Sequence, residues 1–302
     1  NKIEYSFVTD QNGKLSLAFF ERASHRRQAI EPCCLADKNI NETANKILDW
    51  AREQKLTSYN LKSLILRSNQ KGDIIAGLFI KDKMNFKNYP VLPKMIGFKL
   101  YYSTHKSPAS VPTEELYSSG QDYLEEEIND VKMRYGLFSF FQVNPPIFQM
   151  ALNDIEPFID EKPVVDYYCG VGAIGLALKK ERQKLELVES NTEAAEYVEK
   201  NIKLNNFSNC TSICKPAEKI IELITSEKTI IFDPPRAGLD KKIIDRVLET
   251  EPETIIYLSC NLSTHARDLG LLLPKYKIEF LKLYNFFPHT AHIEGLAILK
   301  KI

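Results

Sequence analysis

The sequence predicts an α/β protein: a doubly wound, mostly parallel sheet that ends in an antiparallel hairpin, preceded by a smaller α+β domain. Three observations carry this. From Pro145 to Leu273, strand-length apolar runs alternate with helix-length amphipathic runs, the pattern of parallel strands joined by crossover helices. One of those strands runs straight into Gly170-Val171-Gly172-Ala173-Ile174-Gly175 and then a helix. The last two apolar runs, Ile278–Phe287 and Ala291–Leu299, are separated only by a tight Pro288-His289-Thr290 turn, too short for a parallel crossover.

A chain of 302 residues accommodates two domains, and the change of pattern sets them at 1–137 and 138–302. Hydrophobic residues make up 44% and charged residues 26%, ordinary values for a soluble globular protein. Forty Lys and Arg balance forty Asp and Glu, so whole-chain charge says nothing about partners. The distribution says more. Between Arg52 and Lys106 eleven Lys and Arg stand against three acids, which fits a phosphate-backbone surface or an ordinary solvated face. From Glu114 to Asp130 there are seven acids and no Lys or Arg. The six cysteines (33, 34, 169, 210, 214 and 260) form no disulfide ladder, which points to a reduced, cytoplasmic setting. No run is long and apolar enough to suggest a membrane partner, and no obligate protein partner is evident. The chain opens at Asn1, already inside the alternating run Ile3, Tyr5, Phe7, and so reads as an N-terminally truncated fragment.

In order, residues 1–31 read as short strands with a turn at Asp10-Gln11-Asn12-Gly13 and a small basic cluster, His25-Arg26-Arg27. Asn41 is placed to cap a helix through Ile47, Leu48 and Trp50. Strands are expected at Ser63–Arg67, Ile74–Ile80, Phe98–Ser103 and Val131–Tyr135. Pro145-Pro146 opens a helix over Ile147–Ile159. The alternation then runs strand Val164–Tyr168, helix Ile174–Glu181, strand Leu185–Glu189, helix Thr192–Leu204, strand Thr211–Cys214 and helix Ala217–Leu223. Strand Thr229–Phe232, helix Lys241–Leu248, strand Thr254–Leu258 and helix Thr264–Leu273 complete it.

Three constellations carry chemistry. The glycine loop permits a tight turn and close backbone approach to a nucleotide, and Glu189, closing the next strand, suits the two hydroxyls of a ribose. That pair does not separate NAD from S-adenosylmethionine. Ile230-Ile231-Phe232-Asp233-Pro234-Pro235-Arg236 ends a strand on an acid and a rigid turn. Such an acid can hydrogen-bond a planar base edge, or simply cap a helix. Cys260 stands on a strand-to-helix turn, where open α/β sheets bind ligands. Alone it reads first as a small apolar core residue, the usual place of a free cysteine.

Together these motifs resemble the RNA uracil-5 methyltransferase family, S-adenosylmethionine enzymes that form 5-methyluridine in tRNA or large-subunit rRNA. The resemblance rests on Phe140-Phe141-Gln142-Val143-Asn144, Asp166 to Gly175, Asp233-Pro234-Pro235-Arg236-Ala237-Gly238, Ser259-Cys260-Asn261 with Thr264-x-Ala266-Arg267-Asp268, and Phe287-Pro288-His289-Thr290-x-His292-Ile293-Glu294. It covers 138–302 well and the first 137 residues loosely. It implies a Rossmann-like methyltransferase domain behind an RNA-contacting one. Cys260 takes the role of nucleophile and Glu294 of general base. Gln142, Tyr168, Gly170, Gly172, Glu189 and Asp233 line the cofactor, while Phe140 and Arg236 face the target base. Ala173 departs from members that carry Asn there.

The chemistry accounts for the residue types. Carbon 5 of uracil is a weak nucleophile until a thiolate adds at carbon 6, and a carboxylate must later remove the carbon 5 proton. The target has to leave its stack to reach such a site. His289 and His292 suit phosphate binding, orientation of Glu294, or mere turn positions. In some family members the cysteine of a Cys-x-Leu segment helps hold a four-iron four-sulfur cluster. Cys33-Cys34-Leu35 is similar, which makes Cys33 either a metal ligand in a longer protein whose other cluster ligands lie outside this chain, or equally a buried free thiol. This tilts the expected RNA weakly towards rRNA. The other function classes are an NAD-dependent oxidoreductase, supported by the glycine loop alone, and a catalytically silent RNA-binding module, which Cys260 and Glu294 argue against.

Overall fold

In a computed structural model the structure describes all residues except 23, 25, 105, 106, 108, 109 and 182; His25 of the basic cluster and Lys106 of the basic region therefore lie outside the described residues. The chain divides into two compact units, Asn1–Leu124 and Glu125–Ile302.

The first unit contains β1 (Lys2–Thr9), β2 (Leu15–Phe20), β3 (Arg27–Ala29), α1 (Lys38–Glu53), β4 (Leu61–Ser68), β5 (Ile74–Ile80), β6 (Met95–Tyr102) and β7 (Glu114–Gly120). Its sheet has the order β3-β2-β1-β4-β5-β6-β7, and only β5 and β6 run parallel. The apolar stripe of α1, Ile40, Ala44, Ile47, Leu48 and Ala51, packs on Tyr5, Phe7, Leu64, Leu66 and Leu78 of the sheet. The helix starts before the expected cap. Asp37 is its N-cap, accepting from Asn39 N at 2.8 Å. Asn41 sits one turn inside, where its amide brackets the backbone N–H and C=O of Cys33.

β8 (Tyr123–Ile128) crosses the division, and β9 (Val131–Gly136) pairs with it in a separate two-stranded sheet. The division thus falls ahead of the 137/138 boundary drawn from the sequence. Within the second unit, β9 is fastened to Asn201 and Asn205 by polar clips. Arg134 N donates to Asn201 Oδ1 at 2.7 Å, Asn201 Nδ2 donates to Arg134 O at 3.0 Å, and Asn205 does the same for Lys132. β7 and β8 occupy the acidic stretch, where charge hides strand patterning from sequence reading. Two of those acids, Glu114 and Glu115, face Lys83 and Lys99 as ion pairs.

The second unit continues with α2 (Pro145–Ile155), β10 (Val164–Tyr167), α3 (Ala173–Ala177), β11 (Leu185–Glu189), α4 (Thr192–Leu204), β12 (Cys210–Cys214), β13 (Thr229–Phe232), α5 (Lys241–Thr250), β14 (Thr254–Ser259), α6 (Leu262–Leu272), β15 (Tyr276–Tyr284) and β16 (Glu294–Lys301). The sheet order is β12-β11-β10-β13-β14-β16-β15. The first five strands are parallel, and β16 runs antiparallel to both of its neighbours, β14 and β15. This is the Rossmann-like architecture expected. The central strands read as continuous Val and Ile runs because helices cover both faces, and β13 and β14 are buried throughout.

Three local expectations are corrected. The helix after the glycine loop ends at Ala177, not 181, because Leu178 leaves helical geometry (φ −106°, ψ 0°) and the chain must turn back into β11. Residues 217–223 are two 3-10 turns broken at Ile220, whose carbonyl is taken by the Tyr167 hydroxyl at 2.8 Å. The final hairpin is not tight: β15 stops at Tyr284 and β16 begins at Glu294, leaving 285–293 as a long loop over the carboxyl end of the sheet.

Candidate active site

β14 carries Cys260 to the sheet's carboxyl edge. Immediately after it, Asn261 N-caps α6, accepting from Ser263 N at 3.1 Å. β16 lies beside β14 in antiparallel register with Ser259 opposite Gly295. One step further, Cys260 and Glu294 face each other, although far apart in sequence.

Glu294 is 4% exposed, and its Oε2 meets no hydrogen-bond partner among the described residues. Desolvation raises its pKa to about 7. Asp233, at the end of β13, is likewise held well above the usual carboxylate range by burial, then by Glu294 and by Asp166. The Cys260 thiol is pushed up by burial and by the two carboxylates, with Arg236 opposing. A thiol, rather than a thiolate, is therefore the resting state, and a carboxylate able to hold a proton near neutrality lies across the strand pair.

At the other end, Tyr168 leaves β10 in the left-handed region (φ 62°), an unfavourable conformation for a non-glycine residue that bends the chain into the glycine loop. Gly170 N donates to Glu189 Oε2 at 2.9 Å, and Asn191 N donates to Oε1 at 2.7 Å, which fixes the carboxylate at the end of β11. Gly175 is required by close approach: its N–H donates to Asp166 Oδ2 at 2.9 Å, and a Cβ there would stand 2.8 Å from the same oxygen.

One cavity of about 460 Å³ joins these ends. It is lined by Phe140, Gln142, Tyr168, Gly170, Glu189, Asp233, Arg236, Cys260 and Glu294, all singled out from sequence, together with Ser190, Pro234, Pro235, Phe287 and His292. Gln142 Nε2 reaches Asp233 Oδ2 at 3.5 Å, the outer limit of a hydrogen bond. Gly172 does not line it; it forms the N-cap of α3 behind the loop. Cys33 belongs to the first unit, part-buried beside an exposed Cys34, and no three His, Cys, Asp or Glu side chains group as a metal site among the described residues. The basic stretch is partly spent internally. Arg67 is fully buried, Lys62 Nζ donates to Ser103 Oγ, Thr104 O and Ser107 O, and Arg52 donates to Leu15 O.

Sequence reading assigned no role to a second set of residues. Asp268, 1% exposed, accepts from Leu239 N at 2.8 Å, Tyr257 Oη at 2.7 Å and Arg267 Nε at 2.8 Å. Arg267 Nη2 donates to Ala237 O, and Asn261 Nδ2 and Thr264 Oγ1 both donate to Arg236 O. Gly238 (φ 78°) fits under this clamp only without a Cβ, which would lie 2.5 Å from Asp268 Oδ2. The inner face of α6 therefore holds the loop that follows Asp233. Their recurrence in the quoted motif was the available signal. His265, 3% exposed and packed edge-on to Tyr257, is held neutral by burial, its pKa lowered to about 4.

Fold and site define a class, the Rossmann-like S-adenosylmethionine-dependent methyltransferases. The family model described as tRNA (Uracil-5-)-methyltransferase matches residues 1–302. The chain belongs to this family and is an RNA methyltransferase. An uncharacterized RNA methyltransferase of Clostridium acetobutylicum is 30% identical over 326 aligned positions, covering 100% of this chain and 71% of the relative. A second, from Caldanaerobacter subterraneus subsp. tengcongensis, is 28% identical and covers 100% and 72%. The crystal structure of Pyrococcus abyssi tRNA (uracil-54, C5)-methyltransferase in complex with S-adenosyl-L-homocysteine shares the fold. It superposes with a TM-score of 0.85 at 24% identity over 99% of this chain and 75% of that one. Family membership sets aside the NAD-dependent oxidoreductase and the silent binding module.

Proposed function

We propose that this enzyme methylates carbon 5 of a uridine in structured RNA through a covalent adduct of Cys260. The observation that carries the proposal is the Ser259–Gly295 pairing, which sets a thiol against a buried carboxylate at one end of a cavity whose other end is a nucleotide-type glycine loop.

The cavity suits S-adenosylmethionine. Three carboxyl groups, Glu189, Asp233 and Glu294, line it, and a bound sulfonium cation favours ionisation of the two that burial holds protonated. Gly170 leaves space at the loop, since a Cβ there would meet only Phe140 O at 3.6 Å. Glu189 is read as the ribose acceptor, with Tyr168, Gln142 and Asp233 around the remainder. Bound S-adenosylmethionine supplies an electrophilic methyl group. Cys260, once its thiol proton has been released to solvent, adds to carbon 6 of uracil and drives the electron pair onto the ring as an enolate, making carbon 5 nucleophilic. After methylation, Glu294 takes the proton from carbon 5, the 5,6 double bond re-forms and Cys260 leaves as thiolate. Phe140, 56% exposed, offers an aromatic face to a flipped base.

Transfer RNA is the first RNA to test, since the family description names it; the lean towards rRNA rested on Cys33 alone. The positive excess of the first unit is read as a phosphate-backbone surface, smaller than the residue count implies. The test is a covalent trap: S-adenosylmethionine with 5-fluorouridine-substituted tRNA or rRNA, resolved on a denaturing gel. Fluorine cannot leave as a proton, so the adduct persists. A shifted band absent in Cys260→Ala supports the proposal, and the RNA that shifts names the substrate. No band with either RNA, while both bind and S-adenosylmethionine binds, refutes the covalent mechanism.

A further inference from the structure

A second cavity, about 360 Å³, also reaches Cys260. It shares Arg236, Cys260 and His292 with the larger cavity, so these three form the partition between the two. Its remaining wall comes from the first residues of α6 and from the loop that precedes Glu294. The proposed methyl transfer gives this space no task.

Its chemistry is specific. Arg236 Nη2 lies 3.1 and 3.3 Å from the two ring nitrogens of His292, so the guanidinium is held at the partition by an exposed imidazole rather than neutralised by a carboxylate. No carboxylate lines this cavity, whereas three line its neighbour. The guanidinium therefore borders both cavities, and in the second no lining carboxylate of the described residues opposes it. Two apolar side chains, Leu262 and Ile293, remain 39% and 40% exposed in the same wall. A cation, the Ser263 hydroxyl and an apolar face together fit a nucleotide: a phosphodiester on Arg236 and a sugar or base face on Leu262 and Ile293. Continuity through Cys260 names which nucleotide. A uracil delivered to Cys260 in the large cavity trails its strand over the partition, and the residue next in that strand enters the second cavity.

We propose that this second cavity seats the nucleotide joined directly to the target uridine, with Arg236, steadied by His292, binding the phosphodiester between them. The assignment rests on the uridine methyltransferase reading above. It makes Arg236 a determinant of how the strand is threaded, and it makes Leu262 and Ile293 the surfaces that sense the neighbouring residue.

The test uses the shortest tRNA or rRNA hairpin that the full chain methylates, made in three forms: unmodified, and with a neutral methylphosphonate at the phosphate 5′ or 3′ of the target uridine. For the wild type, one replacement is expected to raise KM about tenfold while kcat holds, the loss of one charge-assisted contact. Arg236→Gln, checked for S-adenosylmethionine binding, is expected to show the raised KM on unmodified RNA and no further penalty from that replacement. Methylation of the unmodified hairpin with KM unchanged by either replacement overturns the assignment alone. So does an Arg236→Gln enzyme that still suffers the full penalty. Absence of uridine methylation on every unmodified RNA overturns the underlying reading and this assignment with it.

Discussion

Ser259 pairs with Gly295 on adjacent antiparallel strands, and the next residue along each strand is a reactive group: Cys260 on one, Glu294 on the other. Both strands are locked by buried neighbours, so the pair is set by sheet register rather than by a flexible loop. A slip of one residue would turn Glu294 to the opposite face.

The first prediction concerns the division of labour. Cys260→Ala should abolish methylation and adduct formation together. Glu294→Gln should lower turnover by about 10²–10⁴-fold, the usual worth of a general base. It should also accumulate a denaturation-stable adduct with ordinary uridine RNA. If Glu294→Gln turns over normally, another group removes the proton.

The second concerns pH. Glu294 titrates at about 7 in the folded protein against an ordinary 4.5. A base must be ionised, so kcat/KM, which reports the free enzyme, should rise across an acid limb centred near 7, and Glu294→Gln should lose that limb. Stability moves the other way. A raised carboxylate pKa means the folded state binds more protons than the unfolded state between 4.5 and about 7, so its contribution is present at low pH and lost as pH rises. Urea titration should find Glu294→Gln more stable than wild type by about 2 kcal/mol at pH 8, with the gain much reduced at pH 5.

The third concerns the cofactor end. Gly175→Ala places a methyl 2.8 Å from Asp166 Oδ2 and 3.1 Å from Leu187, both buried and unable to retreat. It should destabilise by about 1–3 kcal/mol and weaken S-adenosylmethionine binding. Glu189→Ala removes the proposed ribose acceptor and the partner of Gly170 N, and should raise the calorimetric Kd for S-adenosylmethionine about tenfold or more. RNA affinity should be unchanged in Glu189→Ala.

The fourth concerns the clamp beneath the Asp233 loop. Asp268→Asn turns one of its acceptors into a donor facing other donors, which should cost about 2–3 kcal/mol in chemical unfolding. Turnover should fall as the Arg236–Leu239 segment loosens. Asp245→Asn, on the exposed face of α5, should change neither.

Much was legible in the sequence because its signals are local. Alternating apolar runs placed β10, β11, β13 and β14 within a residue of their observed ends, and α4 at its observed bounds, since buried parallel strands and capped amphipathic helices carry their pattern in adjacent residues. Glycine spacing exposed the cofactor loop for the same reason. Where charge and burial part company, the pattern fails. β7 and β8 lie in an acidic stretch because Lys83, Lys99 and Arg134 pair with Glu114, Glu115 and Glu125 and exposed strand faces take other acids. Arg67, counted among surface cations, lies wholly inside.

By itself, then, the sequence determined the α/β class, the glycine loop and the inventory of reactive residues, from Gln142 to Glu294. The tertiary structure alone decided which of them meet. Sheet register put Glu294 against Cys260, β-sheet order converged five motifs on one cavity, and the inner face of α6 closed over the loop after Asp233. Desolvation, which brings Glu294 to titrate near neutrality, is a property of everything packed around it. No stretch of sequence carries that information, because burial is the sum of contacts made by residues distant along the chain.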